Sequence, residues 1–175
     1  MNLYLRLLWL LWHMRGMVQR GLFDESRLSF HVLPNDLDLN LHMNNGRYLT
    51  FMDLGRVHLM AQNGLMAHVR RKHWMPVLAA AEITYLRSLN PFDRFDLVTR
   101  VMTWDDKYVY MEQLFERDGE LCAHAYVKGL FLSGEGRVPN AELVGAIRYR
   151  DAAPEMPEAL QRWAALTATK RDSVK

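Results

Sequence analysis

Between Asn44 and Asn63 the chain runs for twenty residues without a proline, through good helix formers, and meets Gly64 where a helix would stop. The spacing predicts one long helix. Its apolar residues Tyr48, Leu49, Phe51, Met52, Leu54, Val57, Leu59 and Met60 fall around most of the circumference instead of along one stripe, the pattern of a helix buried on several sides. Such a helix needs other elements wrapped around it.

The flanking sequence offers the wrapping. Ahead of the helix, within residues 27 to 42, Leu28, Phe30 and Val32 alternate with other residues until Pro34 breaks the pattern, as in a strand that runs into a loop. After the helix come four segments of strand character, Trp74 to Leu89, Phe95 to Trp104, Tyr108 to Arg117 and Glu120 to Ser133. Asp118-Gly119 is a tight-hairpin signal and Asp105-Asp106-Lys107 can turn the preceding pair, so an antiparallel meander is expected. On the first of these strands Val77, Ala79, Ala81, Ile83 and Tyr85 share a face, and its alanines would admit a helix close to the sheet. That face is the expected seat of the helix. From Pro139 onward, helix-start signals stand at Asn140 and Pro157, and the chain ends in the polar run TATKRDSVK. A strand, a long buried helix and an antiparallel sheet of about five strands in all is the element order of the hot-dog fold, α+β in class. Other α+β folds can be written over the same string.

The chain has 175 residues, half of them hydrophobic and 24% charged, the makeup of a single globular domain. Disordered, fibrous and multi-span membrane classes are set aside on that ground. The formal charge is only +2 and the basic residues are scattered apart from the run Arg70 to His73, so nucleic acid is not an expected partner. Cys122 stands alone, which excludes an intramolecular disulfide and a cysteine-rich metal knot, and makes a reducing cytoplasm the expected compartment. Histidines and acidic residues have no zinc-ligand spacing, so neither a metal nor a cofactor is expected.

The N-terminus reads differently. Leu3 to Trp12 (LYLRLLWLLW) is strongly apolar, yet too short to span a bilayer. It lacks the positive n-region and cleavage site of a secretory signal. Two readings stand. In one it is an interfacial helix, a peripheral membrane contact through residues 3–15 with Trp9 and Trp12 at the headgroup level and Arg6 and Arg15 in water. In the other it is a helix packed on the rest of the protein.

The stretch Pro34 to Tyr48, PNDLDLNLHMNNGRY, gathers polar and ionisable groups between a strand end and the start of the buried helix. A helix N-terminus exposes unpaired N–H groups and about half a positive charge, so the amides near Asn44, Asn45 and Gly46 suit an oxyanion. Gly46 lets a ligand approach closely. A carboxylate in the preceding loop, Asp36 or Asp38, would lie within reach of the same carbonyl carbon, as base for a water or as nucleophile. This is the outline of an acyl-transfer site.

The run DLDLNLHMNNGRY, followed by Asp53 and Arg56, resembles the signature of 4-hydroxybenzoyl-CoA-thioesterase-like hot-dog proteins. ITYLRSLNPFDRFDLVTRV and WDDKYVYMEQLFERDGELCAHAYVKGLFL extend the resemblance, which covers roughly residues 27 to 134. Within that family the chain is similar to the subfamily named thioesterase superfamily member six, which also carries a hydrophobic N-terminal segment. The resemblance implies a homodimer or dimer of dimers whose paired sheets join, active sites at the dimer interface, and an acyl-CoA substrate. It places the catalytic carboxylate on Asp38. The expected organisation is then an apolar segment over residues 1–20, a hot-dog thioesterase-like domain over 21–150, and a C-terminal helix with a polar tail over 151–175. Asp38 is the candidate general base or nucleophile, with the Asn45 and Gly46 amides as oxyanion donors. His42, Asn44, Tyr48 and Arg87 are the candidates for substrate contact. Asn44 also caps the helix, and Arg87 or the run Arg70 to Lys72 would meet the phosphates of coenzyme A.

Plainer roles stand beside these. Asp38 can merely close an Asx-turn and Asn44 merely cap a helix. Asp53 and Arg56, three apart, read as a structural ion pair. The basic run reads as a solvated turn, Cys122 as inert core, and Glu82 as facing either solvent or the site. Other chemistries are less well matched: D-L-N-L-H at residues 38 to 42 is one residue short of a hydratase D-x-N-P-x-H pattern and lacks its proline. The main rival is a non-catalytic binder of acyl chains or acyl-CoA, because Leu39-Asn40-Leu41 departs from the small residues of some enzymes of the family. Tyr48, Phe51, Met52 and Met60 point to an apolar pocket, hence a fatty or aromatic acyl group. Its chain length, and whether coenzyme A or an acyl carrier protein holds it, stay open.

Overall fold

The computed structural model describes residues 3–14 and 16–173. A short N-terminal helix, α1 (Leu3–His13), precedes strand β1 (Ser26–His31) and a 3-10 turn at Pro34–Asp36. The long helix expected from the sequence is α2 (Asn45–Gln62), followed by α3 (Leu65–Lys72). The strands are β2 (Met75–Tyr85), β3 (Arg94–Trp104), β4 (Val109–Arg117), β5 (Glu120–Ser133) and the short β6 (Gly136–Val138). Helices α4 (Asn140–Ala146) and α5 (Glu158–Asp172) complete the chain.

The boundaries of α2 follow from its caps. The Asn44 side chain accepts from the Gly46 N–H at its start, and at its end Asn63 is followed by Gly64 in the left-handed region at φ 79°. The polar run at the C-terminus does not trail off as a tail: α5 carries it as helix to Asp172.

All strand pairs are antiparallel, in the order β1-β3-β4-β5-β2, with β6 beside β5. This corrects the expected meander. β3, β4 and β5 do follow one another, but β2 joins the far side of β5 and ends as the sheet edge opposite β1.

The seat of the helix is corrected with it. α2 lies mainly over β3 and β1, and β2 meets it at its end, where Tyr85 packs against Tyr48. The close approach is made by a glycine in the helix instead of alanines in a strand: a Cβ at Gly55 would stand 2.5 Å from Thr99 Oγ1 and 2.9 Å from Gln113 Nε2. Gln113 is fully buried there and donates to the Met52 carbonyl at 3.0 Å and to Thr99 Oγ1 at 2.9 Å, so its amide protons are satisfied. Ala79 sits at a register shift between Leu78 and Ala80, which breaks the alternation read from sequence.

Beneath α2 the core is aromatic. Phe51, Phe95 and Phe115 are buried to 1% exposure or less, and Phe51 meets Phe95 edge-on at 5.1 Å. On the outer face of the sheet α5 lays Leu160 and Trp163 against Tyr110 and Tyr126. α1 closes the core at the β1 end with Leu10, fully buried beside Phe30 and Val32. Arg6, expected in water, is buried, while Trp12 is 68% exposed. Arg15 lies outside the described residues.

Candidate functional site

The loop from Leu37 to Met43 is pinned at both ends. Leu37 and Met43 form an isolated antiparallel bridge, and Met43 N–H donates to the Leu89 carbonyl at 2.8 Å. Below it the carboxylate of Asp36, fully buried, receives both Arg6 and Arg47, while the Leu33 N–H donates to its Oδ2 at 2.9 Å. Burial alone would raise the Asp36 carboxyl, but the bonds from Arg6, the Leu33 amide and Arg47 outweigh it and hold the group below the ordinary carboxylate value. With its lone pairs taken, Asp36 is a structural anchor. That leaves Asp38 as the carboxylate of this loop with an oxygen to spare.

Asp38 does close an Asx-turn. Its Oδ1 accepts from Asn40 N–H at 2.8 Å and His42 N–H at 3.3 Å, and its own N–H donates to the His42 carbonyl at 2.9 Å. Its Oδ2 has no hydrogen bond among the described residues. The Asx-turn therefore orients the group without consuming it. Leu39 and Leu41 at the tip of this turn are exposed, Leu41 at φ 60°.

At the start of α2 the amides divide. Gly46 N–H donates to Asn44 Oδ1 at 2.8 Å, so it is held by the cap. The Asn45 N–H has no partner among the described residues and points to the free end of the helix dipole. Tyr85 reaches the same place from β2, its hydroxyl donating to the Asn45 carbonyl at 3.4 Å.

The other sequence candidates are placed as follows. The His42 side chain is exposed, while its backbone holds Asp38. Tyr48 is 3% exposed and packs edge-on against Tyr85 and Phe115; burial pushes its hydroxyl up to about 12, opposed by a backbone hydrogen bond at Leu89. Arg87 is exposed, donating to the Leu121 carbonyl at 3.1 Å and facing Glu120 at 3.3 Å. The run Arg70 to Lys72 forms the last turn of α3, with Lys72 paired to Glu142. Glu82 is exposed and accepts from Thr84, and Cys122 is fully buried, its thiol pushed up by burial.

An apolar cavity of about 370 Å³ opens elsewhere, between the C-terminal half of α2, the start of β2 and α4. Met60, Val77, Met111, Gly129, Phe131 and Leu143 are among its walls. Of the four residues expected to line a pocket only Met60 does. Tyr48, Phe51 and Met52 face the sheet and are core. Asp53 and Arg56 form the expected ion pair and also border this cavity, Arg56 reaching Gln113 Oε1 at 2.9 Å. The cavity is within the size range of small-molecule sites.

Sequence reasoning missed Arg6 and Arg47 as the supports of the loop. A signal existed for Arg6: a lone charge inside an apolar helix must find either water or a partner.

Comparison with known proteins places this geometry. The solved structure of YbaW, a probable thioesterase from Escherichia coli, superposes with TM-score 0.62 at 19% identity, covering 70% of this chain and 96% of that one. The gentisyl-coenzyme A thioesterase structure gives TM-score 0.62 at 19% identity, over 69% and 98%. The fold is thus the α+β hot-dog of thioesterases. The family model of the thioesterase-like superfamily matches residues 32–164, and Protein THEM6 of Xenopus laevis is 32% identical over 149 residues, 83% of this chain and 70% of the relative. The chain belongs to the thioesterase-like superfamily.

Proposed function

We propose that the protein hydrolyses acyl-CoA thioesters at the start of α2. The observation that carries this is that two groups are unspent among the described residues, the Oδ2 of Asp38 in the loop that leads into α2 and the N–H of Asn45 at the start of that helix. With the Asx-turn fixing Oδ1, Oδ2 is oriented to take a proton from water as the water oxygen attacks the thioester carbonyl carbon. The oxyanion forms at the Asn45 amide and the positive end of α2. The C–S bond then breaks, and the coenzyme A sulfur leaves with the proton. Direct attack by the carboxylate, giving an acyl anhydride that water cleaves, uses the same groups. Gly46 joins the oxyanion site when its cap bond to Asn44 is exchanged. His42 and Arg87, both exposed, are left to contact the coenzyme A portion.

The acyl group belongs in the apolar cavity, which suits a fatty or aromatic chain. Asp53, the cavity residue on α2 that is nearest to Asn45, is about 12 Å along the helix, so the cavity does not continue the same chain's amide site. A homodimer resolves this. β2 is an eleven-residue edge strand, the kind of edge that a second copy covers. Antiparallel pairing of two β2 strands about a twofold axis brings the Tyr85 end of one chain, beside its own Asn45, next to Pro76 to Leu78 of the other, which line the cavity. Each site then takes its catalytic loop from one copy and its acyl cavity from the other.

The test is thiol release from a panel of acyl-CoAs of graded length plus one aromatic acyl-CoA, with Asp38→Ala alongside, its fold checked by circular dichroism. Turnover that falls by about a thousandfold or more in the variant supports the reading. If wild type and variant are both inactive yet bind acyl-CoA, the protein is a binder of acyl-CoA and not a hydrolase.

A further inference from the structure

We infer that α1 is a docking face for an anionic lipid bilayer. On a helical projection at 100° per residue, Tyr4, Leu5, Leu8, Trp9 and Trp12 fall within an arc of about 140°. The opposite arc carries Arg6 and Leu10, the side that packs on the domain. The outward five are exposed at 70, 54, 61, 40 and 68%. One side of this short helix is core, and the other is a strip of leucines and interfacial aromatics in solvent. Three such aromatics and two leucines side by side are more than scattered surface hydrophobics, and tryptophan and tyrosine favour the headgroup level. No described helix is long and apolar enough to cross a membrane, so the contact lies in the interface.

Charge selects the occupant. No Asp or Glu precedes Asp24, whereas His13, Arg15 and Arg20 follow the strip in sequence, and Arg20 is exposed. A second copy seated on this face about a twofold axis would bring together two segments that carry basic residues and no acidic ones. Anionic headgroups complement them. Arg6 is not among the groups that meet the headgroups, because it is buried against Asp36. Its role is to tie α1 to the base of the Leu37–Met43 loop, so the docked helix and the loop move as one piece.

The full-length protein is sedimented with mixed phosphatidylcholine–phosphatidylglycerol vesicles and with pure phosphatidylcholine vesicles. Binding is expected to the mixed vesicles and to weaken with salt. Leu8→Glu combined with Trp12→Glu is expected to lower the bound-to-free ratio by about tenfold or more, while the control Leu166→Glu, an exposed leucine on α5, leaves it unchanged. Brominated acyl chains quenching the wild-type tryptophan emission give a second readout that needs no variant. Wild type that neither sediments nor is quenched overturns the inference. So does a double variant that sediments as well as wild type. A double variant whose solution mass halves assigns the face to a second copy and also overturns it.

Discussion

The guanidinium of Arg6 lies two-pronged on the carboxylate of Asp36, Nη1 to Oδ1 at 2.9 Å and Nη2 to Oδ2 at 2.5 Å, with the side chains 3 and 0% exposed. Removing one partner of a buried pair leaves a desolvated charge, at a cost of about 3–5 kcal/mol. The two partners are not equivalent. Asp36→Ala strands both Arg6 and Arg47, whereas Arg6→Met leaves Asp36 with Arg47 and the Leu33 amide. Urea unfolding should therefore show Asp36→Ala losing the most, about 3–5 kcal/mol, and Arg6→Met losing less. Equal losses would mean that Arg47 does not support the carboxylate.

Acid should weaken the fold in two stages, with the same sign. His58 is buried with Nδ1 2.6 Å from Ser26 Oγ, and burial, aided by His13 and Arg20, lowers it from 6.5 to about 4. Between those values the unfolded chain binds the proton and the folded chain does not. Stability is thus fully present above pH 6.5 and falls by up to about 3 kcal/mol as pH drops toward 4. Asp36, held below its ordinary 3.8, adds stability that is lost only at lower pH still. Denaturant midpoints measured across this range should slope downward with acid, and His58→Gln should flatten the slope between pH 6.5 and 4.

Gly55→Ala sets two effects against each other. Helix propensity favours alanine by about 1 kcal/mol. Packing opposes it, since the new methyl would meet Thr99 Oγ1 at 2.5 Å and both Gln113 Nε2 and Leu97 Cδ2 at 2.9 Å. Gln113 and Thr99 are hydrogen-bonded to each other and fully buried, so neither can yield without breaking that bond. The expected result is a net loss of about 1–3 kcal/mol in chemical unfolding. A gain would place the helix farther from β3 than the structure has it.

That glycine also marks what the sequence did and did not disclose. The bounds of α2 were legible because Asn44 and Gly64 are local signals, and the hairpin at Asp118-Gly119 was legible for the same reason. Strand order was not. Alternation assigns each residue a face but carries nothing about which strand lies beside it, so chain order alone puts β2 next to β3, whereas β2 pairs with β5. The alanines of β2 then look like the seat of α2, although the helix has its own small residue in Gly55. In the candidate site, the Asn44 cap and the Asp38 turn could be read from neighbours two residues away. The anchoring of the loop could not, because Arg6 and Asp36 are separated by thirty residues. Nor could the cavity, whose walls come from seven separate elements.

The cavity offers the sharpest check on the acyl site. Met60 lines it from α2 and is half-buried, so a larger side chain there fills space without disturbing the aromatic core around Phe51. Met60→Trp should leave kcat/KM for the shortest acyl-CoA that is turned over nearly unchanged. For the longest it should fall by about tenfold or more, which corresponds to about 1.4 kcal/mol of lost transition-state binding. The ratio of the two rates is the quantity to measure, because a general loss of folding or of catalytic geometry lowers both together. An unchanged ratio would remove the acyl chain from this cavity while leaving the Asp38 chemistry intact.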